Sequence, residues 1–145
     1  MFDQMTPEQI ADFCRPIFRG EVNSLGGIDD IQIDRAFNQL PQRRPEVGAA
    51  VYTILAESPE WQDRRDVAYS IGKLTAANHD VGMRLWDQLI RDPDSSVRLN
   101  AYYQFSEAIR PENSELEDER LAELGLTPRD ALHLLRAYVE GESTG

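Results

Sequence analysis

Apolar residues recur at spacings of three and four along most of the chain, the periodicity of helices with one buried face. Ile10, Phe13, Cys14 and Ile17 form the first stripe, and Thr6-Pro7-Glu8-Gln9 ahead of it offers a cap, a first-turn proline and the glutamine of a capping box. A helix over Pro7 to Phe18 follows. Gly20 to Gly27 holds three glycines and an Asn-Ser pair, and reads as a turn or irregular loop rather than another element. A second helix is predicted from Ile28 to Leu40, with Pro41 and Pro45 bracketing a loop.

Val47, Val51, Ile54 and Leu55 give the next stripe, a third helix from Glu46 to Glu57. Val51-Tyr52-Thr53-Ile54-Leu55 is β-prone by composition, but its Ala-rich, Pro-bounded setting favours helix. Further helices are predicted at Pro59 to Ala77, Asp80 to Ile90, Asp94 to Ile109 and Ser114 to Leu124. Gly125 stops the last of these. Thr127-Pro128-Arg129-Asp130 then opens an eighth helix ending at Glu140, with 141–145 as a frayed tail.

Shifting the chain by 34 residues aligns Val47 with Val81, Gly48 with Gly82, Leu55 with Leu89, Pro59 with Pro93, Arg64 with Arg98 and Tyr69 with Tyr103. Caps, turn prolines and core positions stay in step, so the unit is helix, Pro turn, helix, with Pro59 and Pro93 placed in the first turns of the second helices. A looser third copy at an offset of 35 pairs Pro93 with Pro128 and Tyr103 with Tyr138. The expected organisation is one helical-repeat domain: residues 1–45 a divergent cap, 46–78 and 79–110 the repeats, 111–140 an acidic helix pair and 141–145 a tail.

Asp92-Pro93-Asp94-Ser95-Ser96-Val97-Arg98-Leu99-Asn100-Ala101 resembles the turn and second-helix start of HEAT and phycobilisome-lyase-type repeats. The resemblance implies an α-solenoid, mostly protein-binding, with Asp92 and Arg98 tying neighbouring repeats together. In the first copy Asp63 stands where the second has Val97, which argues against an inter-repeat ladder of more than one rung. The fold expected is therefore all-α, about eight helices stacked as antiparallel pairs in a short HEAT-like solenoid.

In such a stack Asp66, Tyr69 and Lys73 hold the same repeat positions as Asn100, Tyr103 and Glu107. A tyrosine row edged by carboxylates, continued by Tyr138, would make a protein-binding strip. The competing expectation for each tyrosine is packing between repeats with the hydroxyl at the edge.

Charge adds a direction to this picture. The 145 residues carry 26 acidic and 15 basic side chains, a formal charge of -11, which repels nucleic-acid phosphate over most of the surface. More than half of the excess lies beyond residue 110, where Glu115, Glu117, Asp118, Glu119 and Glu123 crowd one predicted helix. That field would steer a basic partner, although solvated acidic helices commonly serve solubility alone. Glu115, Glu119 and Glu123, four apart, repel along one face.

Candidate chemistry is sparse. His79 and His133 lie far apart without metal-protease spacing, His79 near a cap and His133 reading as a packed helical histidine. Cys14 reads as a core thiol, with Arg15 as the one neighbour that would lower its pKa. Asp29, Asp30 and Asp34 offer a weak divalent-cation pattern that competes with a helix-dipole role. A lone cysteine, no basic apolar leader and no apolar run of membrane length point to the cytoplasm.

The expectation is thus a non-enzymatic, acidic protein-binding module that acts by stoichiometric binding, with no cofactor, metal, membrane or direct nucleic-acid partner. Its most concrete form is an inhibitor, immunity or antitoxin-like protein masking a basic partner surface. A HEAT-like scaffold or adaptor, and a lyase-like enzyme using Cys14 or His133, are the alternatives.

Overall fold

The computed structural model describes residues 1–110, 115–116 and 118–144. Eight helices are found among them: α1 (Pro7–Phe18), α2 (Asp30–Arg43), α3 (Pro45–Ala56), α4 (Trp61–Ala77), α5 (His79–Leu89), α6 (Ser95–Ser106), α7 (Asp118–Glu123) and α8 (Pro128–Thr144). The protein is all-α, and Val51 to Leu55 lie inside α3. Thr6 caps α1 in a reciprocal box with Gln9, as the sequence pattern implies.

Several boundaries differ from expectation for identifiable reasons. The Gly20 to Gly27 segment is not wholly irregular: β1 (Ser24–Leu25) pairs antiparallel with β2 (Ile28–Asp29). Gly26 and Gly27, both at positive φ, form the turn between them. Asp29 then caps α2 in a box with Gln32, so this helix starts two residues later than Ile28. At its other end α2 runs through Pro41. Proline has no N–H for the carbonyl four residues back, and that carbonyl, of Phe37, accepts the Tyr52 hydroxyl instead at 2.8 Å. Pro59 and Pro93 stand before the N-caps Glu60 and Asp94, outside the helices rather than in their first turns.

The helices form two layers, α1–α3–α5 and α2–α4–α6, with α8 closing the end against α5 and α6. One core cluster takes residues from both layers, with Tyr52 and Trp86 among its largest side chains. The 34-residue unit is visible in space. A Cβ on Gly48 would lie 2.7 Å from the Pro41 Cα, and one on Gly82 would lie 2.4 Å from the Thr75 Cα. Equivalent glycines thus admit equivalent backbones. Likewise Arg64 donates to the Ser58 carbonyl at 2.9 Å and Arg98 to the Asp92 carbonyl at 2.8 Å, each six residues back.

The expected single rung is corrected by three arginine–carboxylate links. Arg64 binds Asp92 through Nε at 2.8 Å and Nη2 at 3.1 Å. Arg98 reaches Glu142 of α8 at 3.2 Å. Asp63, fully buried, accepts from Arg19 at 2.8 Å and from the Ser58 hydroxyl at 2.7 Å, with Arg15 at 3.6 Å. The departure at Asp63 therefore makes a rung, facing α1. Helix α8 continues to Thr144, with Glu142 paired to Arg98, where a frayed tail was expected.

The acidic helix is shorter than expected. Glu115 belongs to a two-residue strand, β4 (Glu115–Leu116), paired with β3 (Ile109–Arg110), so it is not on the same helical face as Glu119 and Glu123. Strand β3 also ends the sixth helix before Ile109. Arg120 binds Glu107 at 2.6 Å and approaches Glu123 at 3.8 Å, which offsets the repulsion left on α7.

Both histidines join α5 to α8. His79 Nε2 meets Asp130 Oδ2 at 2.8 Å, and His133 Nε2 meets Asp87 Oδ1 at 2.6 Å. His133 is exposed rather than packed. Its polar partner, reached from α8 across to α5, sits outside the apolar seam.

Three substitutions test this architecture. Replacing Asp63 by Asn leaves two cationic groups facing a neutral amide, and should lower unfolding free energy by about 3 kcal/mol in urea titration; Glu142→Gln, where the carboxylate is exposed and Arg98 keeps its bonds to the Asp92 and Pro93 carbonyls, should cost less than about 1 kcal/mol. The hydrogen bond to Asp130 raises the His79 pKa above its ordinary value. Its stabilising contribution is then complete below the unfolded pKa of about 6.5 and is lost as pH rises through the folded value. The stability difference between the natural protein and His79→Gln, measured by melting, should shrink from pH 6 to pH 9.

Candidate functional site

A groove of about 270 Å³ opens between α2, α4 and α6, lined by Asp34, Phe37, Asn38, Arg65, Asp66, Tyr69, Ser70 and Asn100. Helical spacing explains the assembly. Asp34 and Asn38 are one turn apart on α2, and Asp66, Tyr69 and Ser70 share a face of α4. Phe37 is buried at the base, stacked on Tyr52 with ring centres 4.3 Å apart. The Tyr52 hydroxyl donates to the Phe37 carbonyl, so the floor is tied directly to α3, and Ser70 beside it is also buried.

Asp66 is the most perturbed acid in the groove. Burial pushes its carboxyl up to about 7 despite the adjacent Arg65, with Asp34 and Asp63 adding to the rise. Burial also raises Asp34, helped by Asp30. Arg65 donates to Asp66 Oδ2 at 3.2 Å and to the Phe18 carbonyl at 3.1 Å. Its guanidinium carbon lies 5.1 Å from the centre of the Trp61 ring. Asp34 stands exposed on the rim and, among the described residues, makes no hydrogen bond or ion pair.

Of the sequence-derived strip, Asp66, Tyr69 and Asn100 come together in this groove. Tyr69 and Tyr103 are 60% and 59% exposed, contrary to inter-repeat packing of their rings. The row does not pass directly to Tyr138. Tyr138 stacks on Tyr102 at 4.3 Å, and Tyr102 lies 6.0 Å from Tyr103. Lys73 is exposed on α4, and Glu107, at the end of α6, is engaged by Arg120. Asp118, Glu119 and Glu123 are exposed on α7, separate from the groove lining. Glu117 lies outside the described residues, and Glu115 sits in β4.

The repeat pattern does not point to Asp34, Phe37, Asn38, Arg65 or Ser70 as partners of this strip. The N-terminal third does not follow the 34-residue register, so nothing in the repeat sets α2 beside α4. The Asp29, Asp30 and Asp34 pattern does contain the missing acid, but its members diverge. Asp29 caps α2, Asp30 accepts from the Ile31 N–H, and only Asp34 reaches the groove.

Cys14 lies behind the groove, buried in the core, and its thiol is pushed up to about 12 by burial, then by Asp34, Asp66 and Asp63. Arg15 does not lower it, because that guanidinium is turned to Asp12 and Asp63. Among the described residues no group of three or more His, Cys, Asp or Glu side chains is placed to hold a metal ion. No helix among them is long and apolar enough to cross a membrane.

The fold and groove define an all-α protein of paired helices with an acidic, aromatic-edged cleft on one layer. Neither family models, nor curated proteins, nor solved structures match the chain.

A neutral thiol in a closed core reacts only when the core opens. Labelling of Cys14 by a disulfide reagent at pH 8 should therefore track unfolding, being at least a hundredfold slower than in urea-unfolded protein. Rapid labelling of the folded protein would contradict this burial.

Proposed function

We propose that the chain acts by stoichiometric, non-catalytic binding, receiving a protein partner with a basic surface on the α2–α4–α6 layer. The supporting observation is the carboxylate-bearing groove edged by the exposed Tyr69, with a second exposed tyrosine, Tyr103, one turn beyond the groove-lining Asn100 on α6. Exposed aromatics beside a desolvated acid suit an interface centre, where a few anchors carry most of the binding energy. Asp118 and Glu119, exposed on α7, add a negative field that speeds encounter with a basic surface.

The HEAT resemblance accords with this role, as does the spatial repeat of the Gly48 and Gly82 crossings. An inhibitor, immunity or antitoxin-like protein that masks a basic surface is the version favoured by the acid content, in a cytoplasmic setting. A scaffold or adaptor shares the surface but would leave the partner active.

The test begins with a partner recovered by cross-linking in the native host, purified and titrated by calorimetry. A one-to-one complex is expected, weakening as salt rises. Tyr69→Ala with Tyr103→Ala should reduce affinity at least tenfold with little change in melting temperature. Charge reversal at Asp118 and Glu119 should slow association. Affinity unaltered by the tyrosine pair would remove this face as the binding surface, and loss of partner activity on binding would separate inhibitor from scaffold.

A further inference from the structure

We propose that the groove between α2, α4 and α6 is a receptor for a single arginine side chain of the basic partner, its guanidinium held by Asp34 and Asp66 against the Tyr69 ring. The proposal rests on the binding role above, and names the chemistry of its centre.

Size gives the first argument. At about 270 Å³ this groove lies just under the roughly 300–1,000 Å³ of sites for drug-sized ligands, and has room for one long side chain. Its lining is mixed in a particular way. Two carboxylates and two side-chain amides, Asn38 and Asn100, supply acceptors, while Phe37 and Tyr69 supply aromatic surface. Asn100 donates its amide N–H to the Ser96 carbonyl, which leaves its oxygen free to accept. A guanidinium has five donors in a planar fork and no acceptor, and it stacks on aromatic faces. An ammonium is a compact, strongly hydrated charge that matches the acceptors but makes less use of the rings.

The resident groups leave room for one more cation. Arg65 occupies only Oδ2 of Asp66, and among the described residues no hydrogen bond reaches Oδ1. Arg65 is itself anchored on the Phe18 carbonyl and the Trp61 ring. Charged groups around Asp66 are Asp34, with Asp30 beyond it, on α2; Asp63 and Arg65 on α4; and Arg15 and Arg19 on α1. Cys14 on α1 is an un-ionised thiol, Tyr52 on α3 an un-ionised phenol, and α6 adds the neutral Asn100. Arg15 is taken up by Asp12 and Asp63 and Arg19 by Asp63, so among the described residues Arg65 is the one cation set against the two groove carboxylates, Asp34 and Asp66. A second guanidinium completes this balance.

The same geometry makes capture pH-dependent. With its carboxyl at about 7, Asp66 is largely neutral at pH 6 and ionised at pH 8. The charged form that binds a cation is thus populated about tenfold more at the higher pH.

The experiment uses the full chain and three blocked tripeptides, Gly-Arg-Gly, Gly-Lys-Gly and Gly-citrulline-Gly, titrated by NMR at pH 6 and pH 8. The arginine peptide should shift the Asn38 and Asn100 side-chain amides and the Tyr69 ring in a saturable way. Its affinity should rise between threefold and tenfold from pH 6 to pH 8, and exceed that of the lysine peptide at least threefold. The citrulline peptide, with the same shape and no charge, should not saturate. Asp66→Asn is close to isosteric and should abolish the pH dependence; Asp34→Asn, at an exposed position, should weaken binding about fivefold without affecting folding.

Equal binding of citrulline, shifts away from the groove, or indifference to both substitutions would overturn the proposal. A concentration-dependent dimer broken by Asp66→Asn, with no peptide binding, would assign the groove to a second copy instead. Failure with peptides while a basic partner still depends on Tyr69 and Tyr103 would leave the binding role standing without the arginine site. Peptide binding with a partner indifferent to the tyrosines would do the reverse.

Discussion

The arginine–carboxylate links that cross from one helix pair to the next hold the architecture in register. Apolar stripes tell a helix which face to bury but not which neighbour to bury it against. The direction comes from charges that are costly to bury alone. Asp63 is the extreme case, enclosed with Ser58 and reached by Arg15 and Arg19 from α1. Arg64 to Asp92 and Arg98 to Glu142 continue the device along the chain to α8. Because a mispaired helix would strand a carboxylate in the core, these links bear on specificity of assembly as well as on stability.

The groove inherits its properties from this arrangement. Asp63 lies one turn before Asp66 on α4, and Asp66 responds first to burial, then to Arg65 and Asp34, with Asp63 the smallest influence. Burial first, and then the same carboxylates that shape the groove, keep the Cys14 thiol protonated behind it. One face of α4 therefore supports the core while the next presents a poised acid, and the two roles are separated by less than a helical turn.

Much of this was legible in the residues. The 3.6-residue periodicity placed the helices, and the shift of 34 anticipated the equivalence of Gly48 with Gly82 and of Tyr69 with Tyr103. What resisted reading was non-local. Pro41 looks like a helix terminator until Tyr52 supplies the missing donor from another helix. Asp63 looks like a broken repeat until Arg19, 44 residues earlier, is beside it. Asp34 looks like a helix N-terminal acid until α2 is laid against α4. In each case a local rule was answered by a side chain distant in sequence, which periodicity does not encode.

The close crossings along α4 have a consequence for how a guest would be received. Gly82 sits against Thr75 on one side, Gly125 brings the α7–α8 turn within 2.5 Å of the Thr75 carbonyl for a notional Cβ, and Gly72 lies under Leu124. Held by close backbone approaches at Thr75 and by the Leu124 side chain over Gly72, the helix has little freedom to slide or roll, so the cleft beside it stands ready-made. A visitor would spend little of its affinity on ordering the host, and the entropy lost on docking would fall mainly on its own chain.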